Sequence, residues 1–141
     1  MHGNGVFKWI SGAHFDGQWK DNRKNGTGSM NYSDSSVYTG QWKDDKRHGQ
    51  GDMQWKNETS YSGDFEDDKK HGYGVYKWPN GTIYDGAWVD NKRTGHGKLT
   101  YPDGSVYSGN FQNNLKDGNG EFTFKDGSNY VGTWKNDLKD G

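Results

Sequence analysis

The sequence predicts an all-β fold: a single-layer, elongated, twisted antiparallel sheet of six stacked β-hairpins, forming a solenoid-like rod with an aromatic groove. Three observations support it. One pattern recurs every 23 residues along the 141-residue chain without insertion. Hydrophobic residues make up only 27%, yet the chain contains 7 Trp, 9 Tyr and 6 Phe, so aromatic rings must form the core. No segment shows the 3.6-residue apolar period of a helix.

Each repeat carries three marks in a fixed register, and all 23 glycines of the chain lie on them. An aromatic-x-Gly-x-aromatic triplet starts at Phe15, Tyr38, Tyr61, Tyr84, Tyr107 and Tyr130. Gly-x-Gly pairs start at Gly3, Gly26, Gly49, Gly72, Gly95 and Gly118, with Gly141 at the first position of a seventh, and turn glycines stand at Gly12, Gly81, Gly104 and Gly127. The predicted units are 3–25, 26–48, 49–71, 72–94, 95–117 and 118–140, because repeats of this period indicate a stacked array.

Inside each unit the local period is two, which is typical of half-buried strands. In unit 72–94, for example, Tyr84, Gly86 and Trp88 share one strand face. The Asn-Gly and Asp-Gly steps supply the positive φ of a tight hairpin turn, and the charged Lys/Asn/Asp segments are interpreted as solvated linkers. Ser35 and Glu58 replace the turn glycine, so those two turns should differ in type or be strained.

The alternation of glycine with rings indicates how the sheet is packed. A ring lies flat only where its neighbour has no side chain, and glycine permits that close approach. We expect a notch at Gly86, between Tyr84 and Trp88, that an aromatic residue of the adjacent hairpin fills. Each ring would bury about 150–250 Å² and replace a conventional core.

Composition excludes several classes of function. With no cysteine, no apolar run of membrane-spanning length and no signal peptide, the default compartment is the cytoplasm. A net charge of −1 argues against nucleic acid as the main partner. His48 and His71 lie one repeat apart, about 10 Å, too far to share one ion. The carboxylates lie in charged linkers without a catalytic motif, so we expect no metal, no cofactor and no enzyme.

The triplet Tyr84-x-Gly86-x-Trp88, the pair Gly95-x-Gly97, and the following Tyr101, Asp103 and Gly104 resemble a MORN repeat, and the resemblance covers essentially the whole chain. Departures are Phe65 and Phe111 in place of Trp, Phe15 in place of Tyr, and the two missing turn glycines. The resemblance implies cytoskeletal, ciliary or junctional scaffolds, or accessory regions of lipid kinases and methyltransferases. The family name reflects a proposed role in membrane occupation and recognition.

Three groups of residues are candidate contact sites. The aromatic groove is predicted to bind a protein partner through Trp9, Tyr32, Trp55, Trp78, Tyr101, Phe124, Tyr38, Tyr61, Tyr84 and Tyr107. An edge stripe of basic pairs is a candidate site for anionic lipid or an acidic partner: Arg23, Lys24, Lys46, Arg47, Lys69, Lys70, Lys92 and Arg93. Acidic neighbours in the same linkers partly cancel that stripe, so a merely solvated edge remains an alternative.

The pattern begins and ends inside the array, which favours an excerpt of a longer array or ends covered by a partner. Unpaired strand edges there predict an end-to-end homodimer through Tyr130 and Trp134. The sequence therefore favours a non-enzymatic protein-interaction scaffold, associated with the cytoskeleton or a membrane. A peripheral phospholipid-binding module and the non-catalytic arm of a larger enzyme are the alternatives.

Overall fold

The computed structural model describes residues 2–139, in which thirteen β-strands and no helix occur. The strands are β1 (Gly3–Lys8), β2 (His14–Lys20), β3 (Arg23–Asn31), β4 (Val37–Lys43), β5 (Lys46–Gln54), β6 (Ser60–Glu66), β7 (Lys69–Lys77), β8 (Ile83–Val89), β9 (Lys92–Thr100), β10 (Val106–Gln112), β11 (Leu115–Thr123), β12 (Asn129–Lys135) and β13 (Leu138–Lys139). They form an open antiparallel sheet whose order follows the chain. The predicted all-β sheet of hairpins is confirmed.

The chain divides into two compact units, the first ending at Lys69 and the second beginning at Lys70. In the first unit, β2 pairs with β1 and β3, and the succession continues through β6. In the second unit, β7 pairs with β8 and the succession continues through β13. Within each unit, a strand therefore finds its partners immediately before and after it in the chain.

The two-residue turns lie in the charged segments and not at the Asn-Gly and Asp-Gly steps, so the predicted position of the tight hairpin turn was wrong, although the turn residues, such as Asp21 and Asn22, are exposed as expected. Only two residues separate β2 from β3, and both have positive φ: Asp21 (51°) and Asn22 (64°). Asp44–Asp45, Asp67–Asp68, Asp90–Asn91, Asn113–Asn114 and Asn136–Asp137 have the same conformation. Two successive positive φ values define the type I′ hairpin turn, which Asp and Asn tolerate better than other side chains.

The glycine turns are one residue longer. Gly81 N donates to Trp78 O at 3.1 Å, and Trp78 N donates to Thr82 O at 2.9 Å, which encloses a three-residue loop. Gly81 alone takes positive φ (95°), as expected for a type I turn followed by a left-handed residue. Ser35 (76°) and Glu58 (74°) adopt this conformation with the same hydrogen bonds. The strain predicted for these two turns is therefore present, while the turn type is unchanged.

A bulge in the strand that follows a tight turn determines which side chains face the rings, and it occurs in β3, β5, β9 and β11. Between the pairs Gly17↔Gly28 and Trp19↔Lys24, β3 advances by four residues while β2 advances by two. An insertion of two residues preserves the alternation of faces, so Lys24 lies on the face of Trp19. Gln18 holds the bulge by accepting a hydrogen bond from Thr27 N at 2.6 Å.

Candidate partner-binding face

Four rows of side chains share one face of the sheet. The inner aromatic row is Phe15, Tyr38, Tyr61, Tyr84, Tyr107 and Tyr130; the middle aromatic row is Trp19, Trp42, Phe65, Trp88, Phe111 and Trp134. The outer aromatic row is Trp9, Tyr32, Trp55, Trp78, Tyr101 and Phe124; the cation row is Lys24, Arg47, Lys70, Arg93, Lys116 and Lys139. The inner and middle rows form the core, and the outer and cation rows cover it.

Most rings of the inner aromatic row are buried and cannot be reached by a partner. Tyr38, Tyr61, Tyr84 and Tyr107 expose 0–1% of their surface. Their inclusion in the predicted groove is therefore corrected. The reason is that each ring is enclosed from several sides: Tyr84, for instance, has Trp88 at 5.2 Å and Phe111 at 5.2 Å, both edge-on.

The ring that packs against a glycine comes from the strand joined to it by a tight turn, as Tyr84 of β8 and Gly97 of β9 show. A Cβ added at Gly97 would overlap the Tyr84 ring, so this ring lies directly against the glycine backbone of the next strand. Phe111 of the adjacent hairpin meets Tyr84 edge-on and does not fill the notch. The predicted close approach of ring and glycine is present, but the ring that occupies it is a different one.

The polar atoms of the buried rings Tyr84, Tyr107 and Trp88 are satisfied by nearby backbone carbonyls. The Tyr84 hydroxyl donates to Ala87 O at 2.7 Å, and Tyr107 donates to Asn110 O at 2.9 Å. The Trp88 indole Nε1 donates to Gly74 O at 3.2 Å. Burial raises the pKa of Tyr84 and of Tyr107 to about 12, because the phenolate would be poorly solvated there.

The outer aromatic row remains accessible. Trp9, Tyr32, Trp55, Trp78 and Tyr101 are half-buried, and Phe124 is exposed. Each lies at a strand end beside a glycine-type turn, and Trp78 contacts the Tyr76 ring at 4.6 Å. Of the ten aromatic residues predicted to line a groove, these six are the ones that a partner could reach.

The cation row lies between the outer row and the core. Lys24 Nζ lies 5.5 Å from the Trp9 ring centroid and 5.3 Å from that of Trp42. Lys116 Nζ repeats this arrangement with Tyr101 at 5.5 Å and Trp134 at 5.4 Å. At these distances a cation is attracted to the ring face, so the row completes the packing of the rings.

In the tight turns from Asp44–Asp45 onward, the second residue accepts a hydrogen bond from the cation-row residue of the preceding hairpin. Arg47 N donates to Asp68 Oδ1 at 2.7 Å, Arg47 Nε donates to the same oxygen at 3.2 Å, and Nη2 donates to Asp68 O at 2.8 Å. Asp45 pairs with Lys24 at 3.4 Å and Asp137 with Lys116 at 3.9 Å. Sequence reasoning missed this contact, although the recurrence of Asp or Asn every 23 residues was a signal for it.

The structure separates the two members of each predicted basic pair. Lys24, Arg47, Lys70 and Arg93 belong to the cation row over the rings. Arg23, Lys46, Lys69 and Lys92 are exposed, and the register pairs Arg23 with Lys20 and Lys46 with Lys43. Neighbouring strand residues point to opposite faces, so the pairs do not form one continuous stripe. Lys116 and Lys139, which have no basic neighbour, complete the cation row and were missed.

The residues predicted to form an end contact belong largely to the packing of the second unit. Trp134 is 6% exposed and lies 5.3 Å from the Tyr107 ring and 5.6 Å from the half-buried Tyr130 ring. Its indole Nε1 is buried and has no hydrogen-bond partner among the described residues. A contact through Tyr130 and Trp134 would therefore need rearrangement of Trp134.

Metal-ligating side chains do not converge: residues 2–139 hold no group of three or more His, Asp or Glu that could bind an ion. The same residues include no helix long and apolar enough to cross a membrane.

The MORN repeat family matches residues 1–14, 15–37, 38–60, 61–83, 84–106, 107–129 and 130–141. The chain belongs to the MORN-repeat family. Seven consecutive repeats tile it, and most begin at the aromatic-x-Gly-x-aromatic triplet. The resemblance seen in the sequence is thus confirmed. No curated protein matches this chain in sequence.

Two solved structures resemble the MORN array. One is the TCP domain of SAS-4 (dCPAP) of Drosophila melanogaster in complex with a proline-rich motif of Ana2 (dSTIL): TM-score 0.57, 16% identity, 94% of this chain and 73% of that chain covered. The other is the TCP10 domain of Danio rerio CPAP in complex with a peptide of Danio rerio STIL: TM-score 0.55, 16% identity, 96% and 59% covered. At this identity the likeness shows the fold alone.

Proposed function

We propose that this chain is a non-enzymatic protein-interaction module that binds an extended segment of a partner along its outer aromatic row. The observation that carries the proposal is a row of half-buried Trp and Tyr rings, of which Trp9, Trp78 and Tyr101 each lie 5.5 Å from a Lys or Arg of the cation row. Trp, Tyr and Arg are the residues that dominate protein interfaces. We place the module in a cytoskeleton- or membrane-associated assembly.

The spacing of the row favours a polyproline II segment as the occupant. Successive outer-row rings within a unit are one hairpin apart, or two strand spacings, about 10 Å. A polyproline II helix repeats every three residues, about 9 Å. Every third side chain of such a segment would therefore meet the next ring. The two structural neighbours, whose domains are bound to a proline-rich motif and to a peptide, support a peptide ligand.

Peptide binding tests this proposal directly. Proline-rich and random dodecapeptides displayed in a library would be selected for binding to the immobilised chain. The Kd of each retained sequence would then be measured by fluorescence anisotropy. Trp78→Ala should weaken binding about tenfold or more. The matched control is Tyr73→Ala, because Tyr73 pairs with Ala87 on the opposite face and is 67% exposed. Equal losses in both variants, with unchanged melting temperatures, would contradict binding along the outer row.

A phospholipid-binding module is the second candidate, and the exposed cations on the opposite face favour it. Lys20 pairs across strands with Arg23, and Lys43 with Lys46, which places two cations together in each of these two hairpins. The acidic tight turns lie beside them, and the net charge is −1, so we expect weak binding to anionic vesicles that disappears near 150 mM salt. Co-sedimentation with phosphatidylserine vesicles measures it. Binding that persisted at 150 mM salt and was lost in Arg23→Glu/Lys46→Glu would favour this candidate.

Two further hypotheses concern the whole protein. An end-to-end homodimer through Tyr130 and Trp134 stays a prediction; light scattering across a concentration series on wild type and Trp134→Ser tests it. That the chain is the non-catalytic arm of a larger enzyme also stays an alternative, which the full reading frame would decide.

A further inference from the structure

Arg93 differs from Lys24, Arg47 and Lys116 of the cation row by the residue that holds it, and shares with Lys70 an asparagine at that position. Asp45, Asp68 and Asp137 each place a carboxylate oxygen within 3.9 Å of Lys24, Arg47 and Lys116, respectively. At the corresponding position Arg93 has the neutral Asn114. Arg93 Nε donates to Asn114 Oδ1 at 3.3 Å, and Nη2 donates to Asn114 O at 2.8 Å. Within residues 2–139, no carboxylate lies within ion-pairing distance of this guanidinium.

The surroundings of Arg93 are aromatic rings, and none of the described residues supplies a carboxylate paired with its guanidinium. Its Cζ lies 5.5 Å from the Trp78 ring, 5.8 Å from Tyr84 and 5.6 Å from Phe111. Burial lowers the pKa of Arg93, and Asp137, which acts in the opposite direction, is paired with Lys116. A half-buried cation of this kind gains most from an anion that it can bind through two N–H groups.

The neighbouring Trp78 determines what kind of anion fits. Its half-buried ring belongs to the outer row, so a ligand at Arg93 would lie against an apolar surface as well as a cation. A carboxylate carried on a peptide satisfies both, since its chain packs along the rings while its acidic side chain reaches the guanidinium.

We propose that Arg93, beside Trp78, is an anion-binding subsite that takes the carboxylate of an Asp or Glu residue in the partner peptide. The subsite rests on the proposed peptide-binding function and adds a specificity to it. Arg47 does not offer the same subsite, because the Asp68 carboxylate already neutralises its guanidinium, whereas Asn114 makes the same hydrogen bonds to Arg93 without a charge.

The chain supplies its own matched variants. Asn114→Asp would place a carboxylate on Arg93, as Asp68 does on Arg47, and would close the subsite. Asp68→Asn would open an equivalent subsite at Arg47. Both should fold, because Asp68 (φ 69°) and Asn114 (φ 74°) have nearly the same backbone conformation and make the same backbone hydrogen bond.

Arginine side-chain NMR tests the subsite independently of any peptide. The chain has three arginines, Arg23, Arg47 and Arg93, so three Nε–Hε resonances report on them. N-acetyl-glutamate, titrated at constant ionic strength, should shift the Arg93 resonance saturably in wild type and not in Asn114→Asp. In Asp68→Asn the Arg47 resonance should also shift. An Arg93 resonance that moves no more than that of Arg23 overturns the proposal.

Peptide selection then connects the subsite with the function. Peptides retained by wild type should contain Asp or Glu about tenfold more often than those retained by Asn114→Asp. If both proteins retain the same peptides without acidic preference, the subsite is wrong and the proposed function stands. If no peptide is retained but N-acetyl-glutamate still shifts Arg93 selectively, the subsite stands and the proposed function is wrong.

Discussion

Arg47 and Asp68 are joined by four hydrogen bonds although they lie in successive hairpins. Asp68 N donates to Arg47 O at 3.0 Å, and Arg47 donates to Asp68 from its backbone N, Nε and Nη2. Asp68 can accept them because its φ of 69° turns its side chain and carbonyl toward the preceding hairpin. One turn residue thus fixes both a backbone strand and the cation that covers the rings.

Replacing Asp68 should show how much this contact contributes. We expect Asp68→Ala to lower the free energy of unfolding by about 2–3 kcal/mol, since it removes two charge-assisted hydrogen bonds and puts Ala in a left-handed conformation. Asp68→Asn keeps the acceptor and should cost less than about 1 kcal/mol. Urea denaturation measures both. Equal losses in the two variants would mean that the side-chain acceptor is unimportant.

Gly86 should tolerate no side chain. A Cβ there would overlap Gly97 Cα and lie 2.7 Å from His96 O, which is backbone and cannot move aside. We expect Gly86→Val to destabilise by about 3 kcal/mol, while Asp85→Val, one residue earlier and exposed, changes stability by about 0.5 kcal/mol at most. Thermal melts of the two variants decide it. Similar shifts would show that the face assignment is wrong.

Replacing the non-glycine residue with positive φ in either strained turn, Ser35 or Glu58, by glycine should stabilise the protein. Glu58 holds a φ of 74°, and Ser35 one of 76°. Glu58→Gly should stabilise by about 0.5–1 kcal/mol, because the relief of left-handed strain exceeds the entropy that glycine adds to the unfolded chain.

The reverse substitution, Gly81→Glu, is the control for the turn prediction. A Cβ at Gly81 would meet no atom within 4 Å, so only the backbone conformation is tested. It should destabilise by a similar amount. A stabilising Gly81→Glu would contradict the explanation.

High pH should unfold the second unit partly through Tyr84. Its pKa is about 12 in the folded chain against an ordinary 10, so the folded state retains the proton between pH 10 and 12 while the unfolded state loses it. The contribution, on the order of 3 kcal/mol, is complete below pH 10 and is lost as the pH rises toward 12. Tyr84→Phe should make the decline of stability between pH 10 and 12 shallower.

Phe15 at the equivalent position shows that the repeat accommodates Phe, so Tyr84→Phe should fold. Urea denaturation midpoints at several pH values, with Tyr107→Phe and the double variant for comparison, measure the effect. An unchanged slope in the double variant would mean that these hydroxyls do not titrate on unfolding.

The sequence predicted the strands well because the period of two and the 23-residue repeat report directly on side-chain faces. The turns were harder to predict. Asn80-Gly81 resembles a tight turn, yet only Gly81 has positive φ, whereas Asp21-Asn22, without glycine, forms the two-residue turn. The burial of Tyr84 could not be read from the alternation, which says which face a ring is on but not what covers it. That Lys24 and Arg47 cover the rings follows from the bulge, which period alone does not reveal.

The tight turns also affect the folding rate of the chain. Within each unit, every backbone ladder joins strands adjacent in the chain, and the ring contacts, such as Tyr84 to Phe111, extend only to the following hairpin. Folding slows as contacts join more distant parts of a chain, and most all-β proteins are slow for that reason. Because its ladders join strands that are adjacent in the chain, we expect this sheet to fold faster than a typical all-β protein, with each hairpin forming soon after its second strand is synthesised.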